Sequence, residues 1–430
     1  MTLVEADPEI DDPPDTRRGR RVRLAYMVSH PIQYQAPLLR RIAQEPDIDL
    51  TVFFGSDMSV RGYRDQGFGV RVEWDVPLLE GYRYVFLPKL RDGDATGIAT
   101  PLNYGIMSRL RGRAGEQGSG PQADGFDALW VHGYATVNAL YGMIAAKVLG
   151  IPVLLRAESW LRDRGRSRLK LAVKRACFVA LGKLVNAVLP IGSLNAEYWR
   201  HYFGGEFPQF AMPYAVDNRY FAGRACAARA RRAELQAELR LDPARPVILF
   251  ASKLQERKQC DQLIEAYARL VRRSDGVRNP YLVIVGDGEQ RAALERQAAI
   301  TGLDGMRFCG FRNQSELPRF FDLATVFVLP SRDEPWGLVV NEAMNARRAV
   351  IVSDEVGCAP DLVKGGVNGC AYRGGDMDAL ADALQRVLAT PGVAEAMGEQ
   401  AFERIARWSF EEDVQGLRQA LAHVVPGFEA

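Results

Sequence analysis

Lys253 and Lys258 stand five residues apart in Phe250-Ala-Ser-Lys-Leu-Gln-Glu-Arg-Lys258, a polar loop that follows an apolar run and precedes a helical pattern. Two ammonium groups so spaced could flank a diphosphate and neutralise charge developing on a leaving group. Exposed lysines are also ordinary in such loops. A denser constellation is Leu329-Pro-Ser-Arg-Asp-Glu334-Pro-Trp336-Gly337-Leu338-Val-Val-Asn-Glu342, in which an apolar strand runs into a polar loop and a helix starts near Gly337. A helix start offers free backbone N–H groups and a positive dipole end to an anion. A carboxylate accepts two hydrogen bonds and suits a vicinal diol, so two separated carboxylates could hold two diols. A sugar nucleotide has that layout. The spacing alone fits as readily a loop charge at Glu334 and a solvated helix residue at Glu342.

Two weaker pieces end in glycine turns: Val285-Gly286-Asp-Gly288 and Phe308-Cys-Gly-Phe311-Arg312. Glycine at a strand end commonly just makes the turn. What must position these groups is an alternation of elements. Strands are expected at Arg23–Val28, Leu50–Phe54, Ala128–Val131, Val153–Leu155 and Val188–Ile191, with helices at about Gln33–Gln44, Val137–Leu149 and Leu169–Val185. The alternation resumes after Pro213 with strands at Val247–Ala251, Tyr281–Val285, Met306–Cys309, Val326–Leu329 and Val350–Val352. Gln262–Val271 carries apolar residues at helical spacing, and Asp376–Leu388, Val393–Arg407 and Phe410–Val424 complete the helices. Strands alternating with helices imply an α/β protein of two doubly wound parallel sheets facing a central cleft, and ligands bind beyond the carboxyl ends of such strands.

The composition narrows the classes. The chain has 430 residues, 47% hydrophobic and 25% charged, with 55 Lys plus Arg against 53 Asp plus Glu. That is a globular composition of two or three domains, and a net charge of +2 argues against a general nucleic-acid partner. Six cysteines without a metal spacing read mostly as buried thiols, which favours a reducing compartment. Residues 1–15 hold six acids and three prolines with no apolar core, so no signal peptide is expected and the location reads as cytoplasmic. Residues 1–21 read as a disordered tail and 111–125, with five glycines, as a mobile loop. The Asp47-x-Asp49 pair reads as a solvated turn between helix and strand.

Taken in order, the four pieces resemble the C-terminal half of glycosyltransferase family 4, joined by Ile351-Val-Ser-Asp and Gly357-Cys-Ala-Pro-Asp361. Pro213-Tyr-Ala-Val-Asp-Asn-Arg-Tyr-Phe221 looks like that family's linker, and Trp408-Ser409 like the start of its returning helix. The resemblance implies a GT-B fold: a Rossmann-like acceptor domain at 22–215, a Rossmann-like donor domain at 216–407, and a helix at 408–430 crossing back. It implies a nucleotide-sugar donor, a glycan, lipid-linked or small-molecule acceptor, retention of configuration, and neither metal nor other cofactor. Lys253 and Lys258 would bind the diphosphate and Glu334 the transferred sugar, beside Trp336, Gly337 and Leu338. Glu342 would take the ribose, Phe311–Arg312 would lie by the base, and Gly286 to Gly288 would line the cleft. Three positions depart from the pattern: Lys253 stands for Arg, Gln259 for Gly and Asp361 for Glu.

The N-terminal half departs further. Ser29-His30-Pro-Ile-Gln-Tyr-Gln35 replaces paired glycines, and Leu154-Leu-Arg156-Ala-Glu158 replaces a strand ending in His. His30, His132, Arg156 and Glu158 are therefore expected at the mouth, facing the acceptor, because strand carboxyl ends face the cleft. An inverting reaction would instead need a side-chain base, with Glu158 or His132 the candidates. Residues 156–183 hold nine basic and two acidic residues, with an expected apolar face at Leu171, Ala172, Cys177, Phe178 and Leu181. Peripheral contact with the inner face of a membrane is one expectation from this pattern, and an ordinary helix with a solvated basic side is the other. A glycosyl phosphorylase of the same architecture and a non-catalytic nucleotide-binding module are the competing functions.

Overall fold

In the computed structural model, residues 21–65, 67–91, 97–112, 125–161, 168–273 and 279–430 are described. The tail at 1–20, most of the expected loop at 111–125, and Arg162, Arg164 and Arg166 of the basic cluster lie outside the described residues.

The first half contains β1 (Val22–Val28), β2 (Ile48–Phe54), the short pair β3 (Tyr63–Arg64) and β4 (Arg71–Val72), and β5 (Arg83–Phe86). A second short pair, β6 (Lys89–Arg91) and β7 (Leu102–Asn103), precedes β8 (Ala128–His132), β9 (Val153–Arg156) and β10 (Ala187–Val188). One six-stranded sheet runs β10-β9-β8-β1-β2-β5, and its strand pairs are parallel where register is defined, as in Val22↔Ile48 to Val28↔Phe54. The second half gives β11 (Val247–Ala251), β12 (Tyr281–Val285), β13 (Met306–Phe308), β14 (Val326–Leu329), β15 (Ala349–Ser353) and β16 (Gly369–Tyr372). They form a second parallel sheet, β13-β12-β11-β14-β15-β16.

The second sheet's central strands are continuous apolar runs because helices cover both faces. Val247–Ala251, Tyr281–Val285 and Val326–Leu329 are buried throughout. One face packs into a cluster around Leu249, Val283 and Phe327, and the other into a cluster around Ile248, Leu282 and Val328. In each sheet the chain order reverses at one point, between β1 and β8 in the first and between β11 and β14 in the second. At such a reversal the flanking loops part and open a crevice at the strand ends.

The final helix, Phe410–Val424, opens with a capping box in which Ser409 and Glu412 satisfy each other's end of the first turn. Its Val414, Leu417, Ala420 and Leu421 pack into the core of the first sheet beside Tyr26, Val52 and Trp130. The chain therefore returns to the domain where it began.

Several expectations need correction. Asp47 and Asp49 are not simply solvated: Asp47 takes both forks of Arg418 at 2.7 and 2.8 Å, and Asp49, inside β2, pairs with Arg83. Of the cysteines, 260, 358 and 370 are buried, Cys309 is half-buried, and Cys177 and Cys226 are exposed, so half of them rather than most are buried thiols. Strands β5 and β16 were not expected. Both are sheet edges of four residues, β5 exposed to half-buried and β16 built on Gly-Cys-Ala-Tyr, too short to show a strand period. In the helix Arg168–Gly182, Phe178 and Leu181 face the domain core rather than a partner. Lys174 lies over the rings of Tyr198 and Tyr202 at 4.9 and 4.6 Å.

Candidate active site

The two reversal points face each other across a cavity of about 480 Å³. Twelve of the expected site residues line it: Lys253, Lys258, Gly286, Phe311, Arg312, Glu334, Trp336, Gly337, Leu338 and Glu342 from the second domain, His30 and Glu158 from the first.

Each is placed by its local structure. Lys253 leaves the end of β11 by a loop tied to the next strand end, with Ser252 N donating to Val285 O and Leu254 N to Asp287 O. Lys258 closes a one-turn 3-10 helix, Glu256–Lys258, and its side chain is buried and paired with Glu334, which Arg257 also reaches at 3.1 Å. Burial depresses the Lys258 ammonium below its ordinary range, and the Glu334 carboxylate opposes that shift. Glu334 is held by its own backbone, with N–H donating to Glu355 O and carbonyl accepting from Gly357 N. Gly337 then turns at φ +91°, a left-handed conformation, and directly begins the helix Leu338–Asn345 with no side-chain cap on its first N–H groups. Glu342, one turn into that helix, is pushed up to about 8 by burial.

Trp336 stacks on Trp408 with ring centroids 5.3 Å apart, and its indole N–H donates to Asn341. Asn341 and Trp408 both donate to the carbonyl of Tyr214 in the linker, fixing the linker against the donor loop.

On the facing wall, Glu158 Oε1 accepts from Tyr214 Oη and, at 3.3 Å, from Tyr34 Oη, with His132 Nε2 at 3.6 Å. Burial works to raise this carboxyl, but those donors outweigh it and hold Glu158 below the usual carboxylate range. His30 bonds to Ser29 Oγ at 2.8 Å, and burial together with His132 lowers its imidazole to about 4, so it is neutral near pH 7.

Three expected residues fall elsewhere. Arg156 is 1% exposed and does not face the cleft: its guanidinium donates to Met212 O, Pro213 O and Asp413 Oδ1, each at 3.0 Å, and so ties β9, the linker and the last helix together. His132 stands behind Glu158, bonded to Gln35, and not on the cavity wall. Gly288 is also off the wall, where a Cβ would meet Leu254 O at 2.5 Å and Gly67 O at 2.9 Å; its place requires close backbone approach.

The sequence reading missed a wall of the cavity. Tyr63, Asp65, Phe68 and Trp74, from the β3–β4 hairpin, line it together with Tyr34 and Tyr214. Asp65 and Gly67 carry the only sequence hint, an Asx-turn in which Gly67 N and Phe68 N donate to Asp65 Oδ1 at 2.8 and 2.9 Å.

Residues 231–404 match the family model for glycosyl transferases group 1. Over this stretch the chain is similar to the group 1 glycosyltransferases. An alpha-D-kanosaminyltransferase of Streptomyces kanamyceticus is 36% identical over 173 residues, 40% of this chain and 44% of that enzyme. A GDP-mannose-dependent alpha-(1-6)-phosphatidylinositol monomannoside mannosyltransferase of Mycobacterium tuberculosis is 32% identical over 250 residues, 56% of this chain and 63% of that one. The matched chain thus spans less than two thirds of these relatives' lengths. Anabaena Alr3699/HepE, solved with UDP and glucose, superposes with a TM-score of 0.68 at 18% identity over 94% of this chain and 100% of that one. Sucrose-phosphate synthase of Thermosynechococcus elongatus superposes at 0.64 over 93% and 98%. The fold is GT-B, and the stretch that the group 1 model matches lies in its second half. Of the donor-side motifs that the family resemblance singled out, the four glycine, lysine and glutamate pieces contribute to the cavity wall, and the stretch 351–361 does not.

Proposed function

We propose that this protein transfers a sugar from a nucleotide-sugar donor to an acceptor hydroxyl, with retention of configuration. The observation that carries the reading is convergence: cations, carboxylates and an uncapped helix start from four separate loops line one cavity. Lys253 and Lys258 take the diphosphate, Glu334 and the backbone at Trp336–Leu338 the sugar, and Glu342 the ribose. Phe311 and Arg312 lie by the base. The half-buried Glu342, kept largely protonated near pH 7, can both donate to and accept from a diol.

In the step itself the bond from the anomeric carbon to the diphosphate oxygen breaks and the acceptor oxygen bonds to that carbon. The acceptor proton passes to the departing diphosphate oxygen on the same face. Lys253 and Lys258 stabilise the charge that develops there, so the scheme calls for no metal and no further cofactor. The geometry of the two alternative bases supports this route over inversion. Glu158 is stabilised as an anion by its donors and so is a weak base, and His132 stands off the cavity wall.

A panel of UDP-, GDP-, ADP- and dTDP-sugars in a thermal-shift assay tests the reading. At 100-fold above its dissociation constant, the right donor adds about 2.7 kcal/mol of stability. A flat response to all four contradicts it.

For the acceptor, a lipid-linked molecule is favoured by one face of the first domain. The helix Val137–Val148 exposes Val137, Leu140, Ile144 and Val148, and the helix Arg168–Gly182 exposes Leu169, Val173 and Val179. Lys147, Arg175 and Lys183 are exposed beside them, which suits an anionic bilayer. The contact proposed is a peripheral one; among the described residues no helix is long and apolar enough to cross a membrane. Co-sedimentation with anionic vesicles is expected to fall when Leu140, Ile144, Leu169 and Val173 are replaced by Ser. Unchanged sedimentation removes the membrane contact.

A further inference from the structure

The two lysines of the cavity are neutralised differently. Lys258 is paired within its own domain, by Glu334. Lys253 is paired across the cleft: its Nζ reaches both oxygens of Asp65, at 2.8 and 2.9 Å. Asp65 is 8% exposed and belongs to the β3–β4 hairpin of the first domain. The ammonium also lies 4.7 Å from the centre of the Phe68 ring, and Phe68 meets Phe311 edge-on at 4.8 Å. Further along, Asn313 Nδ2 donates to Glu73 O at 2.6 Å, and Ser315 bonds to Asp75.

A diphosphate carrying two or more negative charges cannot share Lys253 with a buried carboxylate on equal terms, because the two anions repel at short range in a site shielded from water. Burial pushes the Asp65 carboxyl up, but Lys253 and the backbone N–H groups outweigh it and keep it below the usual range, so it is fully charged near neutral pH. Resting on the donor assignment above, we propose that Asp65 is a counter-ion that the donor diphosphate displaces from Lys253, so that this first-domain residue sets donor affinity and its displacement loosens the hairpin. A competitor inside the protein lowers apparent affinity by the fraction of molecules in which it is seated. By linkage, donor binding weakens the hairpin's seat by the same factor.

Asp65→Asn separates this role from a merely structural one. The amide oxygen still accepts from Gly67 N and Phe68 N, so the turn is kept, while the charge facing Lys253 is lost. The contacts of Phe68, Glu73 and Asp75 are untouched. UDP and GDP are the probes, titrated calorimetrically at low salt into wild type and Asp65→Asn. Hydrogen exchange of residues 63–75 is followed in parallel. The expected result is a dissociation constant roughly five- to tenfold lower in Asp65→Asn, with exchange across the wild-type hairpin rising when nucleotide binds. Affinity unchanged or weakened in Asp65→Asn overturns the proposal, since Asp65 would then orient Lys253 for the donor. Hairpin exchange that falls on binding also overturns it. Failure of wild type to bind any of UDP, GDP, ADP or dTDP is the separate result that removes the donor assignment, and this inference with it.

Discussion

Lys258→Met is expected to lower kcat by roughly 10²- to 10³-fold, the range for removing one preorganised charge partner of a developing oxyanion. The substitution keeps the length of the side chain but strands Glu334, whose remaining cation is the half-exposed Arg257. Breaking a buried pair by removing one partner typically costs about 3–5 kcal/mol, and Arg257 reduces that here. A drop in activity alone would therefore confuse lost chemistry with a loosened fold. The double variant Lys258→Met/Glu334→Gln separates them. Replacing both charges relieves the stranded carboxylate, so its melting temperature returns most of the way to wild type. Its activity stays down, because neither the diphosphate nor the sugar regains its contact. Steady-state kinetics beside thermal melts read both quantities. Recovery of activity together with stability would show the pair to be a structural tie and not part of the reaction.

The largest expected effect on stability lies away from the cavity. Arg156→Met removes the guanidinium that satisfies Met212 O, Pro213 O and Asp413. Asp413 is 0% exposed, and one of its oxygens already lacks a partner. A loss of about 3–5 kcal/mol is expected from leaving the buried Asp413 carboxyl and the two linker carbonyls without their cation. That amounts to a fall on the order of 10 °C in melting temperature for a domain of this size. Arg156→Met/Asp413→Leu should recover most of it, since an apolar pair of similar volume often replaces a buried ion pair without penalty. Acceptor KM at a temperature where the variant is folded should change less than about threefold, as expected for a residue that does not touch substrate. A stable Arg156→Met protein with a strongly raised acceptor KM would return this residue to the cleft.

Arg156 also shows where sequence reasoning runs out. A charged residue at the end of an apolar strand points toward the cleft by rule, and Glu158, two residues on, does line it. The partner that turns Arg156 inward is Asp413, 257 positions later, on the helix that crosses back. Nothing local announces a contact of that range. The donor side was legible for the opposite reason. Three of its strands are fully buried apolar runs, each followed directly by a loop that lines the cavity, so motif order and position in space coincide. The β3–β4 hairpin was not legible: strands of two residues carry no periodicity, and the groups that seat Asp65 and Phe68 lie in the other domain.

A crystal structure of the protein with a bound nucleotide-sugar, chosen by the thermal-shift panel, tests the central claim most directly. The account predicts the diphosphate within hydrogen-bond distance of the Lys253 and Lys258 ammonium groups, with the sugar at Glu334 and the ribose at Glu342. A donor seated outside this cavity, or inside it with the diphosphate contacting neither lysine, would contradict it.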